Sequence, residues 1–87
     1  MYAAAVLHLN RIVGNSSSSE LAETLHRLSH DGQLEEIQLS AADTARKRLR
    51  VMTDKGTDCA IALNRDANLE NGSVLLLEDR RAIVVRM

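Results

Sequence analysis

The stretch "RKRLRVMTDKGTDCAIALNRDANLENGSVLLL", residues 46–77, decides how this chain is read. From Arg46 to Thr53 the residues alternate. Leu49, Val51 and Thr53 share one parity, and Arg48, Arg50 and Met52 share the other. A period of two is the pattern of a strand with one covered face. Asp54-Lys55-Gly56 follows as a hairpin-type turn, because glycine takes positive φ at little steric cost. The returning strand, 57–63, sets Cys59, Ile61 and Leu63 on its larger apolar face and Ala60 and Ala62 on the smaller one. Asn71-Gly72 is a second turn signal. Beyond it, "VLLLE" at 74–78 and "AIVVR" at 82–86 bracket Asp79-Arg80-Arg81. Continuous apolar runs of this length predict a second hairpin, buried on both faces. The predicted core is Leu49, Val51, Cys59, Ile61, Leu63, Leu75, Leu77, Ile83 and Val85.

Upstream, "AAVLHLNRIV" at 4–13 is apolar on both parities and reads as a covered first strand, broken by Gly14-Asn15. The segment that follows carries helix signals. Ser17 and Glu20 have capping-box spacing, and Leu21, Leu25 and Leu28 form an i, i+4, i+7 stripe that can pack on a sheet. This predicts a helix over about 18–30. "QLEEIQLS" at 33–40 reads as a short strand, and "AADTA" at 41–45 as a loop or a single helical turn. Strand, helix, strand and then two hairpins make a mainly β, α+β chain, with one helix covering a sheet face.

Length and composition narrow the function classes. The chain of 87 residues suits one domain, 1–87. Its 11 basic and 12 acidic residues nearly cancel, so bulk charge argues for neither nucleic acid nor membrane. Stacking aromatics are missing as well, since Tyr2 is the one aromatic residue. A single cysteine, Cys59, excludes an intrachain disulfide and fits a reduced, cytoplasmic setting. The start "MYAAAVLHLN" is too short for a membrane span and lacks the basic flank of a signal peptide.

The glycines are isolated turn residues, not a phosphate loop, and no cysteine pair could hold zinc. Glu35-Glu36 is expected to straddle both faces of a strand, not to act as a dyad. His26 and His30, at i and i+4, project from one helix face and are weak metal candidates, because two imidazoles alone make a poor site. His8 reads as structural. Cys59, alternating with Ile61 and Leu63, reads as a buried, inert thiol. No acid–base or nucleophilic constellation can be named, so the chain is not read as an enzyme. The most distinctive feature is Arg46, Lys47, Arg48 and Arg50. It reads either as an edge strand guarded by charge or as a contact patch for an acidic partner, with Arg46, Arg48 and Arg50 on one face.

The quoted stretch also carries a resemblance. Arg46–Arg50 leads into Thr53-Asp54-Lys55-Gly56. Ile61-Ala62-Leu63-Asn64-Arg65 follows, then Leu69-Glu70-Asn71-Gly72-Ser73-Val74-Leu75, and later "RAIVVR" at 81–86. In order and spacing these segments resemble the N-terminal domain of the urease accessory metallochaperone UreE. The match is good over 46–86 and looser over 1–45. Ser73 departs from it, standing where that family often has aspartate. The family's second, metal-binding domain has no counterpart here, so its nickel site cannot be carried over, and the chain is either a fragment or a free-standing homologue.

The resemblance implies a small β-sandwich-like domain of two short mixed sheets. It also implies a non-catalytic protein-interaction role in urease metallocentre assembly. Urease apoprotein or other urease accessory proteins would be the partners, with no cofactor in this chain. Two alternatives stay open: a generic peptide- or protein-binding β module, and a weak metal carrier using His26 and His30.

Overall fold

A computed structural model describes residues 5–87 of the chain. Among them the elements run in the order β1 (Leu7–Leu9), β2 (Gly14–Asn15), α1 (Ser19–His30), β3 (Leu34–Gln38), α2 (Ala41–Thr44), β4 (Arg48–Met52), β5 (Asp58–Ala62), β6 (Ser73–Glu78) and β7 (Arg81–Arg86). The period-two segment forms the hairpin it predicts. β4 and β5 pair antiparallel, Leu49 lies opposite Ile61 and Val51 opposite Cys59, and Gly56 turns the corner at φ 83°. β1 adds to this hairpin in parallel, giving a three-stranded sheet in the order β1-β5-β4.

The second sheet runs β2-β6-β7-β3. β6 and β7 are the predicted second hairpin, and β3 joins β7 in parallel. Both sheets are therefore mixed, and they pack face to face. Leu9, Ile37, Leu49, Cys59, Ile61, Leu63, Leu75, Ile83 and Val85 are buried between them. The other face of the second sheet meets α1, whose Leu25 and Leu28 pack on Val74, Ala82 and Val84. Residues 82–85 are fully inaccessible for this reason: alternate side chains of β7 enter two different apolar layers.

Three expectations need correction. The single strand expected over 4–13, whose Ala4 lies outside the described residues, is two short strands in different sheets. β1 pairs with β5 and β2 with β6, and residues 10–13 cross between them. Apolar residues on both parities reflect that crossing. Leu9 and Ile12 reach the inter-sheet layer, while Val13 is 40% exposed. Gly14-Asn15, read as a break, is β2 itself.

The helix is capped by Ser18, not by Ser17. Ser18 Oγ accepts from Glu20 N–H at 3.3 Å, whereas Ser17 gives both its N–H and its hydroxyl to Asn15 Oδ1, at 2.9 and 2.8 Å. A reciprocal capping box does occur, on the short helix α2, between Ser40 and Asp43.

Leu77 is the third correction. A bulge between Val74 and Leu76 inserts one residue into β6 and reverses the parity beyond it. Leu75 and Leu76 thus both serve the inter-sheet layer, and Leu77 turns to the helix side, half-buried.

Candidate functional site

The basic segment divides into residues with quite different surroundings. Arg46 is exposed and lies before β4 begins. Lys47 is held inward: its Nζ donates to the Ala67 carbonyl and to Asn68 Oδ1, at 2.9 Å for the latter, and so ties the loop after β5 to the start of β4. Arg48, Arg50 and Met52 stand together on the solvent face of β4, opposite in phase to buried Leu49 and half-buried Val51. The structure therefore brings Arg48 and Arg50 to one strand face, with Arg46 two residues upstream of it.

Arg50 has a partner. Its Nε and Nη2 donate to the two carboxylate oxygens of Asp58, each at 2.6 Å, in a bidentate fork across the hairpin. Hydrogen bonding to the guanidinium holds the Asp58 carboxyl below its ordinary range. Arg46 and Arg48 make no ion pair among the described residues.

At the other end of the hairpin lies a cluster that the sequence reading did not assemble. Glu35, on β3, is 6% exposed. Its Oε1 accepts from the hydroxyls of Thr53 and Thr57, each at 2.6 Å, and its Oε2 accepts from Arg81 Nε at 2.7 Å. Arg81 also donates to Thr57 Oγ1 at 3.0 Å. Burial disfavours the ionised carboxylate, but the hydrogen bonds from Arg81, Thr53 and Thr57 outweigh it and leave Glu35 below the ordinary glutamate range. Beside this cluster, Asp54 N–H donates to the Glu36 carbonyl and Asp54 Oδ1 accepts from Glu36 N–H, both at 2.9 Å.

The turn Thr53–Thr57 of one sheet is thus fastened to β3 of the other. The adjacent pair Glu35-Glu36 faces two ways, as expected, with Glu35 on Arg81 and Glu36 on Arg86. What could have signalled the cluster was the carboxylate at the covered parity of an otherwise apolar strand: Glu35 precedes Ile37 by two residues, and a buried charge demands partners.

The remaining candidates stay apart. Cys59 is fully buried, and burial first, then the charge of Glu35, pushes its thiol upward, away from the reactive thiolate. His26 and His30 are exposed on α1. Among the described residues no three His, Cys, Asp or Glu side chains come together as a metal site.

A second turn is equally constrained. Gly72 has φ 90°, and a Cβ there would stand 2.6 Å from Ser16 Oγ. Its N–H donates to the Val85 carbonyl at 2.7 Å. Both glycine-bearing motifs of the quoted stretch therefore have structural duties, and Arg46 and Arg48 are left as the cations of the basic segment without an ion-pair partner among the described residues.

Comparison with known proteins finds relatives of the chain. Residues 10–87 match the family model described as the UreE urease accessory protein, N-terminal domain. The chain is 55% identical over 82 residues to a protein of Pseudomonas syringae pv. syringae named urease accessory protein UreE 1, a match covering 94% of this chain and 56% of that protein. A protein of the same name from Pseudomonas syringae pv. tomato matches equally. The urease accessory protein UreE of Natronomonas pharaonis is 42% identical over 79 residues, covering 90% of this chain and 36% of its own length. The chain spans about half the length, or less, of these relatives.

Proposed function

Because this chain belongs to the UreE urease accessory family, its residues 10–87 being that family's N-terminal domain, we propose that it is a protein-contact domain assisting urease metallocentre assembly. It docks on urease apoprotein or on another urease accessory protein, through an acidic surface of that partner. Arg46, Arg48 and Arg50 supply the contact, and the chain itself performs no catalysis and carries no cofactor. Nickel is cargo handled by other residues than these. The setting is the cytoplasm, where a lone thiol such as Cys59 stays reduced; no helix among the described residues is long and apolar enough to cross a membrane.

The observation that carries this reading is the pair Arg46 and Arg48. They are exposed cations that form no ion pair among the described residues, on a chain whose charges otherwise nearly cancel. Guanidinium groups pair bidentately with carboxylates, which suits an acidic surface. The test is an association measurement against purified urease apoprotein and its accessory proteins. Arg48→Ala with Arg50→Ala should retain the wild-type melting curve and bind more slowly, with a reduced dependence on salt. Binding at the wild-type rate would overturn the docking assignment.

A further inference from the structure

The open edge of β4 has a property that its charge alone does not express. In the β4–β5 ladder, Leu63 N–H donates to the Lys47 carbonyl at 2.8 Å and Thr53 N–H donates to the Thr57 carbonyl at 2.9 Å. With Leu49 opposite Ile61 and Val51 opposite Cys59, the odd-numbered residues of β4 spend their backbone groups on β5. The N–H and C=O groups of Arg48, Arg50 and Met52 therefore point the other way, off the sheet. β4 is the last strand on that side, and these groups have no backbone partner among the described residues.

We propose that this edge receives an extended acidic segment of the partner as an added strand, paired with the backbone of Arg48, Arg50 and Met52. The inference rests on the docking role proposed above and names its mode. Strand addition draws affinity from the main chain and specificity from alternate side chains. Both are provided for here. On the solvent face, an added strand would place alternate side chains beside Arg48 and Arg50, where carboxylates fit. On the inner face it would lie beside Val51, which is half-buried and packs on the inter-sheet layer, so the other parity should be apolar.

The remaining edges suit such a ligand less well. β3 is already engaged by both the N–H and the carboxylate of Asp54. β1 has only three residues, and the groove between residues 8–13 and the outer part of β6 contains Glu78.

The experiment uses the chain as it stands, urease apoprotein, and a capped peptide of about six residues, the usual strand length, alternating glutamate and valine. Met52→Pro removes one outward N–H from an edge strand, a position where proline is tolerated, and leaves every arginine in place. It should weaken both ligands by about tenfold, the scale of one lost hydrogen bond. Amide exchange of the wild-type chain with the peptide should slow at Arg48, Arg50 and Met52, and not at His8. A peptide alternating lysine and valine should do neither.

If Met52→Pro binds as wild type and the three amides exchange unchanged, strand addition is overturned. In that case Arg48→Ala with Arg50→Ala still weakening urease binding leaves the docking face standing. If no variant alters urease binding, the docking role itself falls. Should Met52→Pro fail to fold, the exchange pattern decides alone, with protection at alternate residues for the proposal and none against it.

Discussion

Two arginine–carboxylate pairs in this small domain are nearly equal in closest distance and unequal in consequence. Arg81 meets Glu35 at 2.7 Å and Arg50 meets Asp58 at 2.6 Å. The Glu35 side chain is 7% exposed, whereas Arg50 and Asp58 are 59% and 28% exposed. Water reaches both ends of the second pair, but in the first it reaches chiefly the Arg81 end, which is 36% exposed. Glu35 also accepts two threonine hydroxyls that belong to the opposite sheet, so breaking it loosens a joint between layers. Arg50–Asp58 joins neighbouring strands that the backbone ladder holds already. Distance alone therefore ranks neither pair; burial and what each one connects do.

The apolar layer beneath both pairs sets the scale. Ile61 is 2% exposed between the sheets, and Ile61→Ala should cost about 2–5 kcal/mol through lost transfer energy and the cavity left behind. Denaturant unfolding measures it, and an unchanged midpoint would mean that β5 presents its other face.

Glu35→Gln comes next. It keeps the shape but removes the charge that Arg81, Thr53 and Thr57 satisfy, and should cost about 2 kcal/mol at neutral pH. The same pair sharpens the comparison through acid. Its folded carboxyl titrates below the ordinary value of 4.5, so its contribution is complete above that pH and declines as the pH falls through the folded value. Melting curves of the wild type and Glu35→Gln should therefore converge as the pH falls through that folded value. A difference that stays constant down to acid would show that the charge is not what the clasp uses. Arg50→Ala should produce the smallest change, a melting temperature close to wild type with little dependence on salt. A large loss there would place the basic strand among the structural features.

Legibility followed the range of the interaction. The alternation Leu49-Val51-Thr53 against Arg48-Arg50-Met52 was enough to place β4, its turn and β5, because a strand's two faces are set by chain neighbours. The leucine stripe at 21, 25 and 28 likewise located α1 and its buried side. The first strand misled because apolar residues on both parities mean either a covered strand or a chain crossing between two layers. Local pattern does not separate these. The bulge at β6 escaped for a related reason, since inserting a residue into a continuous run of leucines leaves the run unchanged while reversing which of them face the core. Among the candidate contact residues, exposure of Arg48 and Arg50 could be read from parity. That Lys47 is tied to residues 67 and 68, and Arg50 to Asp58, could not.

By itself, then, the sequence determined the strands of both hairpins, the helix and the apolar composition of the layers. Those follow from period, turn residues and residue type, all of which act over a few positions. The tertiary structure alone decided that Glu35 meets Arg81 across 46 residues and that Asp54 fastens one sheet to the edge of the other. It alone decided, too, that the outward backbone of β4 is left open. Each of these depends on which strands become neighbours and in what register, and register is settled by burying both apolar layers at once.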